Sequence, residues 1–402
     1  MLRVQHPIVF DDEQEEIFSN DESFISACEK RIQKPPNNDS RMALFFSALL
    51  ELKKKDSRIH DLLSLVRLRR GELNDSVTES HLCILFMRVV QYIKLYKEEV
   101  YENVNYADML LTKDAWRDVI EDILANKYSL LFKLLTERKV STNIPDRYAG
   151  IALILKILCP NKELNILDLG CSFHQGGKKM IQVSEGKDIF HTIIKPSLKK
   201  IIGNNHNKPL LIKQIVGIDK SSSQSKDELE WLLACSHYPG NVHQIRQTRA
   251  RIEILPNAKT PIINTTFQRL AEYFKENEFD IIVFSSVLYQ LTKAQRIRTI
   301  NLVSKLLKDD GIIFIQDTAH KKGDALGFDD DVGIPFSYRL FITGKLTNGS
   351  LWELLQFDSN RCAMVKEGKD LSKILSQKKS IADILSHMFK DKIANKFRFS
   401  NP

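Results

Sequence analysis

The sequence predicts an all-helical N-terminal portion followed by an α/β portion built on a parallel sheet with helices on both faces. In residues 1–143, apolar side chains recur at helical spacing, and almost no segment alternates in the manner of a strand. From residue 144 onward, short apolar segments alternate with helical ones, the pattern of parallel strands joined by helices. We expect the α/β portion to span 144–370 and the remainder, 371–402, to form an amphipathic helical tail.

The N-terminal portion carries the start and stop signals that separate helices require. Pro35 ends a first helix that begins near Asp21, because proline removes a backbone donor. Ser76 and Glu79 form a capping-box sequence ahead of a long apolar helix. Another amphipathic helix is expected over residues 112–137. The apolar stripes of these helices predict a helical core, and contact with a partner or a second copy of the chain is the alternative.

Composition argues against a membrane-spanning protein and favours a soluble one. Hydrophobic residues make up 43% of the chain and charged residues 27%, and no run of 18 apolar residues is present. The N-terminus shows no apolar leader, so we expect a cytoplasmic protein; delivery into a host cell would leave the same pattern. The six cysteines are scattered without a C-x-x-C pair, which favours a reducing compartment and predicts no metal site.

The net charge of +8 is concentrated in the second portion of the chain. Residues 1–145 hold 21 Lys and Arg against 24 Asp and Glu, a charge of −3 that leaves +11 for 146–402. The basic segments are 178–213, with eight lysines and two acids, and 246–251, with three arginines. Such segments suit an anionic substrate or nucleic acid, but solvated helix faces have the same composition.

One stretch, residues 164–177, predicts a ligand site at an edge of the sheet. Its apolar run ends at Gly170, as in a buried strand followed by a tight turn, and glycine there permits a positive φ. Gly176 and Gly177 then open a helical segment. Backbone N–H groups at such a turn form a polar cup for a ligand. The dinucleotide pattern G-x-G-x-x-G is absent because Ser172 interrupts it, and an ordinary strand–turn–helix is the alternative.

This stretch resembles the first motif of class I S-adenosylmethionine (SAM)-dependent methyltransferases, an apolar strand followed by Asp/Glu-x-Gly-x-Gly-x-Gly. Asp168 and Gly170 match the motif, whereas Ser172 and His174 stand where glycine is usual. The resemblance covers about residues 145–368. It implies a seven-stranded Rossmann-like sheet, SAM as the cofactor and methyl transfer as the activity. It also implies cofactor contacts from five residues of this motif: Asp168, Gly170, Cys171, Ser172 and Gly176.

Three later strands of the resemblance end in further polar residues. Asp219 ends the second strand, where a carboxylate accepts hydrogen bonds from ribose hydroxyls, although 51 residues separate it from Asp168 instead of the roughly 20 of compact motifs. Gln268 stands where the family contacts adenine, and the end of the fourth strand, near Ser285, faces the methyl group that is transferred. The cofactor contacts implied at these strands are Asp219, Lys220, Gln268, Arg269, Ser285 and Ser286.

Two residues at the same edge are candidates for assisting deprotonation of the methyl acceptor. His320 follows the fifth strand and is a residue type suited to general-base work, and Tyr289 follows the fourth strand. An exposed loop histidine and a packing tyrosine are the alternatives. The segment 288–291, LYQL, resembles the Leu-His-His-Leu style of methyltransferases that act on small molecules and some that act on proteins or RNA. Residues 321–336 have the composition of a substrate lid.

The acceptor, which presents an oxygen or nitrogen nucleophile, is not identified by any of these patterns, and two other functions agree with the sequence. A catalytically silent protein with the SAM-binding fold, acting as an adaptor through its helical portion, would agree with the missing glycines at positions 172 and 174. A methyltransferase that binds nucleic acid would agree with the charge of +11 in the second portion.

Overall fold

The chain combines a mixed sheet with a group of helices that lies over the edge at which its parallel strands end. A computed structural model describes residues 21–376 with gaps. The described ranges are 21–35, 38–73, 75, 77–97, 111–141, 144–187, 190–220, 225–254, 259–291, 293–318, 338–344, 347, 349–358 and 362–376. Within these ranges, no helix combines the length and the apolar composition needed to cross a membrane. The predicted lid at 321–336 and the predicted tail beyond residue 376 lie outside the described residues.

Twelve α-helices have both ends within the described chain, and residues 371–376 are also helical. The first six are α1 (Asp21–Gln33), α2 (Ser40–Lys55), α3 (Ser57–Glu72), α4 (Glu79–Tyr96), α5 (Lys113–Asn126) and α6 (Tyr128–Glu137). The others are α7 (Tyr148–Leu158), α8 (Gln175–Ser184), α9 (Pro196–Ile202), α10 (Lys226–Ser236), α11 (Ile245–Ile254) and α12 (Lys293–Ser304). Two predictions are wrong here. The capping box at 76–79 is not the start of α4, which is capped by Thr78, and the helix expected over 112–137 is two helices separated at Lys127.

The helices α1–α6 enclose a core of their own, which α10 completes. Phe45 and Trp116, both fully buried in it, meet edge to face with ring centroids 5.1 Å apart. Trp231 of α10 belongs to the same buried cluster. Gln91 of α4 donates hydrogen bonds to carbonyl oxygens at the C-terminal end of α10. The helical layer, defined as α1–α6 with α10, therefore includes a helix from the α/β portion, and the domain boundary at residue 143 stays a prediction.

The sheet has nine strands, so the expected count of seven is wrong. They are β1 (Glu163–Leu169), β2 (Ile193–Ile194), β3 (Leu211–Asp219), β4 (Ile262–Asn264), β5 (Phe279–Ser285), β6 (Leu307–Thr318), β7 (Tyr338–Gly344), β8 (Trp352–Phe357) and β9 (Met364–Glu367). Their order across the sheet is β2-β9-β8-β7-β6-β5-β1-β3-β4. The run from β4 to β6 is parallel, β6 to β9 pair antiparallel, and the two-residue strand β2 adds a parallel edge to β9.

Helices cover both faces of this sheet, as the sequence predicts for its parallel part. Alternate side chains of β1 enter two different apolar clusters, with Ile166 in one and Leu167 in the other. The first cluster contains residues of α7, α8 and α9, and the second contains residues of α12. Because both faces are buried, the central strands are continuous apolar runs.

Candidate functional site

A cavity of about 910 Å³ lies between the helical layer and the edge of the sheet at which the parallel strands end. Its floor is formed by residues that follow β1, β3, β4 and β5, where the strand order reverses on either side of β1. Ligands of open α/β sheets bind at such switch points. Its roof is formed by α4, α6, α10 and the segment 138–141 that follows α6. The volume and the position are therefore those of a ligand site.

The turn that follows β1 keeps the backbone conformation that glycine favours, although two of its residues are not glycine. The φ angles of Gly170, Ser172 and His174 are 70°, 50° and 55°. This left-handed region costs a non-glycine residue roughly 1–2 kcal/mol. The departure from the resembled motif at positions 172 and 174 therefore changes the side chains while the left-handed φ is retained.

Two hydrogen bonds hold Ser172 in this conformation. Its N–H donates to Asp219 Oδ2 across 2.7 Å, and its hydroxyl lies 2.8 Å from the hydroxyl of Ser141 in the roof. Asp219 is the last residue of β3 and lines the cavity. The turn after β1, the end of β3 and the roof are thus joined at one residue.

Asp168 lies beneath this turn and does not line the cavity, where the resemblance implied a direct cofactor contact. Its buried carboxylate accepts hydrogen bonds from the Tyr148 hydroxyl at 2.7 and 2.8 Å. His174 Nε2 lies 3.1 Å from Asp168 Oδ2, without the alignment of a hydrogen bond. Burial, and then the charge of Asp168, raises the pKa of Tyr148 well above its usual value, so the phenol stays protonated and donates. Asp168 therefore supports the turn from below.

Gly170, Cys171 and Gly176 line the cavity, and their contact with a ligand stays a prediction. Burial raises the pKa of the Cys171 thiol well above its usual value, and the carboxylates of Asp168 and Asp219 raise it further. Since the thiolate is the nucleophilic form of cysteine, Cys171 contributes a protonated, weakly polar surface rather than a nucleophile.

Three buried hydroxyl groups on the cavity wall have no hydrogen-bond partner among the described residues. They belong to Thr265, which follows β4, and to Ser285 and Ser286 at the end of β5, and each residue is less than a tenth exposed. Burying a polar atom in this way is unfavourable unless a ligand or water supplies the partner. The sequence predicts Ser285 and Ser286 as site residues but misses Thr265. Thr265 follows β4, which pairs with β3, and it therefore lies beside Asp219. This position at the end of a strand is the one signal that could have indicated it.

Lys220 and Gln268 line the cavity, whereas Arg269 does not. Lys220 Nζ lies 3.5 Å from Asp75 Oδ2 of the helical layer. The guanidinium of Arg269 is exposed and lies 2.6 Å from the carboxylate of Glu272. The predicted cofactor contact of Arg269 is thus replaced by an ion pair on the surface.

Of the two candidates for proton transfer, the structure describes Tyr289, which it does not bring to the cavity. The ring of Tyr289 packs against His81, with ring centroids 5.8 Å apart, and its N–H donates to Asp317 Oδ2 at 3.1 Å. Tyr289 is not a lining residue, although Val287 and Gln290 on either side of it are, because its ring packs against His81 instead. His320 lies outside the described residues, so its role stays a prediction.

The roof carries charged residues that sequence analysis does not single out. Arg138 pairs with Asp227 and Glu228 in the first turn of α10, and Lys139 Nζ lies 2.6 Å from Asp75 Oδ1. All five residues line the cavity. They come from separate elements, so no spacing pattern reveals them.

The basic segments 178–213 and 246–251 contribute no described residue to the cavity lining. Within the first, Lys179 Nζ lies 2.9 Å from Asp146 Oδ1, a contact inside the chain. Their role toward an anionic substrate or nucleic acid stays a prediction.

No protein-family model matches the chain, and no curated protein matches it. Solved structures match part of it. A proposed sarcosine dimethylglycine methyltransferase from Galdieria sulphuraria is 11% identical, with a TM-score of 0.26, over 44% of this chain and 48% of that chain. A proposed methyltransferase from Bacillus halodurans is 13% identical, with a TM-score of 0.26, over 44% and 55%. A proposed O-methyltransferase from Nostoc punctiforme is 16% identical, with a TM-score of 0.25, over 43% and 38%. This chain spans about half the length of such structures or less, and likenesses at this level carry no argument about its activity.

Proposed function

We propose that the chain is a class I SAM-dependent methyltransferase. One observation carries the proposal. The left-handed turn after β1, the carboxylate of Asp219 and the partnerless hydroxyls of Thr265, Ser285 and Ser286 share one cavity at the switch point of the sheet. A nucleoside carries hydroxyl groups and neutral ring nitrogens, which are the hydrogen-bonding partners that such a wall lacks.

The donors and acceptors of the cavity suit SAM. Asp219 would accept hydrogen bonds from the ribose hydroxyls, as carboxylates at this place do in dinucleotide sites. Gln268 would hydrogen-bond the edge of the adenine, and the hydroxyls of Thr265 and Ser285 would meet other polar atoms of the nucleoside. Gly170 adds no side chain between the turn and a ligand. The residues of the wall therefore fit this cofactor.

The chemistry that SAM supplies when bound is an electrophilic methyl group on a positively charged sulfur. The residues of the floor would fix the orientation of the bound molecules, and the helical roof would exclude water. Most of the rate enhancement would then come from proximity and orientation. The acceptor would present an oxygen or nitrogen nucleophile, as part of a small molecule, a protein or RNA. The proton that it loses would pass to solvent or to His320, the proposed base.

Calorimetric titration with SAM and S-adenosylhomocysteine tests the cofactor site. We expect micromolar binding by the wild-type chain and no detectable binding by Asp219→Ala. Arg269→Ala is the matched control, because it also removes one charge but lies outside the cavity lining. No heat and no thermal shift at millimolar ligand would overturn the proposal and favour the adaptor function of the helical layer.

A transfer assay then addresses the acceptor. SAM with a labelled methyl group would be incubated separately with small-molecule, protein and RNA fractions. Label that enters one fraction with the wild-type chain, and not with Asp219→Ala, would assign the acceptor class. Label in none of them, despite cofactor binding, would favour a catalytically silent protein.

A further inference from the structure

We propose that the rings of Tyr148 and His174 are positioning elements of the cofactor loop, residues 170–177, and that they determine its affinity for SAM. The expected effect on SAM affinity rests on the proposed function. The packing of the two rings, from which the proposal is argued, does not depend on that function. A histidine at a position where the resembled motif has glycine is, on this view, a functional substitute for that glycine.

The glycine pair at the start of α8 leaves room for these two rings. A Cβ atom on Gly176 would lie 2.1 Å from the ring of Tyr148, and a Cβ atom on Gly177 would lie 2.2 Å from His174 Nε2. Carbon atoms do not approach side chains this closely in a packed interior. Each glycine is therefore required by one ring, which explains why the pair stands later in the sequence than the motif places its glycines.

The same two rings meet at one carboxylate. The Tyr148 hydroxyl and His174 Nε2 lie 2.7 and 3.1 Å from the two oxygens of Asp168, and all three side chains are more than nine-tenths buried. On the β3 side, a Cβ atom on Gly217 would lie 2.9 Å from His174 Nδ1. The imidazole is thus enclosed by Gly177, Gly217 and the carboxylate.

This enclosure explains how a histidine persists at a left-handed φ of 55°. The conformation is unfavourable for a residue with a side chain, and the packed ring offsets that cost. Ser172 lies two residues earlier and directs its N–H at Asp219. A fixed ring at position 174 therefore restricts the cofactor loop to the conformation in which this contact forms. Glycine would permit the same φ and many others.

His174→Gly distinguishes packing from φ alone, because it restores the glycine of the resembled motif. If only φ matters, the variant binds S-adenosylhomocysteine at least as tightly as the wild type. We expect at least tenfold weaker binding by calorimetry, well below the unfolding temperature. We also expect amide hydrogen exchange to be at least tenfold faster in residues 170–177 and unchanged in β5.

Two further variants make the test specific to the ring. Gly177→Ala should weaken binding and speed exchange in the wild-type chain, because its methyl group meets the imidazole. Added to His174→Gly, where the ring is absent, it should cause little further loss. His174→Asn should recover part of the affinity lost in His174→Gly, because asparagine tolerates a positive φ and fills part of the space that the imidazole occupies.

Unchanged affinity and exchange in His174→Gly would overturn the proposal. The proposal would also be overturned if Gly177→Ala lowered the affinity equally in the wild-type chain and in the His174→Gly variant. If the wild-type chain binds neither SAM nor S-adenosylhomocysteine, the proposed function fails, and the exchange comparison alone decides whether the rings hold the loop.

Discussion

The Ser172 amide donates a hydrogen bond to Asp219 Oδ2 across 2.7 Å, which joins the turn after β1 to the last residue of β3. The two strands are parallel neighbours, so the bond crosses the edge of the sheet at the floor of the cavity. Because the acceptor is a carboxylate, the bond is charge-assisted and stronger than a bond between neutral groups. One side chain thus holds the turn and, under the proposed function, receives the ribose.

Asp219→Ala should therefore lose both stability and cofactor binding. We expect the free energy of unfolding, measured with urea, to fall by about 2 kcal/mol, the range of hydrogen bonds to charged groups. We expect binding of S-adenosylhomocysteine to become undetectable by calorimetry. Asp219→Asn keeps an oxygen for the Ser172 amide, so it should retain more of the stability while its affinity still falls. Wild-type affinity in both variants would contradict the assignment of Asp219.

Asp21 predicts a pH dependence of the helical layer. Its carboxylate lies 2.8 Å from Lys53 Nζ, 2.8 Å from His60 Nδ1 and 3.1 Å from Arg67 Nη1. Burial alone would raise the pKa of Asp21, but hydrogen bonds from Lys53 and His60 and the charge of Lys53 outweigh it and lower the pKa from 3.8 to about 2. A pKa that is lower in the folded state stabilises the fold above the unfolded-state value near 4, and this stabilisation is lost as the pH falls toward 2.

Asp21→Asn should thus lower the free energy of unfolding by about 1–2 kcal/mol at pH 6, after allowing for partial solvent exposure, and by less at pH 3. Urea unfolding at both pH values measures the difference. Asp122→Asn is the control, because Asp122 is exposed and accepts its hydrogen bond from the neutral side chain of Asn126 in the same helix. Equal losses at both pH values would show that the effect of Asp21 is not electrostatic.

The strand–turn–helix around Gly170 was predictable because its signals are local. An apolar run that ends in glycine identifies β1, and a carboxylate at the end of the next apolar run identifies Asp219. Both residues line the cavity, and so do Ser285 and Ser286. The alternation of strands and helices likewise predicts the parallel part of the sheet, since each element has its own periodicity.

The features that the sequence did not predict depend on contacts between distant segments. α10 joins the helical layer through Gln91 and Trp231, which no local pattern connects. β2 is only two residues long, and it forms a strand because it pairs with β9 at Met364. Tyr289 does not line the cavity because its ring packs against His81, a residue more than 200 positions earlier in the sequence. Tertiary geometry decides each case.

Gly150 tests how closely the helix before β1 packs on the sheet. A Cβ atom there would lie 2.3 Å from Phe357 Cζ of β8, so Gly150→Ala should lower the free energy of unfolding by about 1–3 kcal/mol. Gly71→Ala is the matched control in α3, where nothing lies within 4 Å of the added methyl group. It should raise the free energy by up to about 1 kcal/mol, because alanine is the better helix former. Urea unfolding measures both, and a stabilised Gly150→Ala would contradict this packing.

Thr265→Val should separate stability from binding, because it replaces a hydroxyl by a methyl group of similar shape. The Thr265 hydroxyl has no partner within the described ranges, so we expect the free energy of unfolding without ligand to stay the same or rise by up to about 1 kcal/mol. The affinity for S-adenosylhomocysteine should fall about tenfold, since one hydrogen bond to the ligand is lost.

Thr343→Val is the control for this substitution. Thr343 is also buried in or beside the sheet, but its hydroxyl donates to the Gly349 carbonyl at 3.1 Å, and it does not line the cavity. We expect it to lose about 1 kcal/mol of stability and to keep wild-type affinity. The two threonines therefore predict opposite outcomes in urea unfolding and calorimetry. A Thr265→Val variant that loses stability and keeps its affinity would show that the hydroxyl serves the fold, and the cavity wall would then lose one of the three groups that identify it as a ligand site.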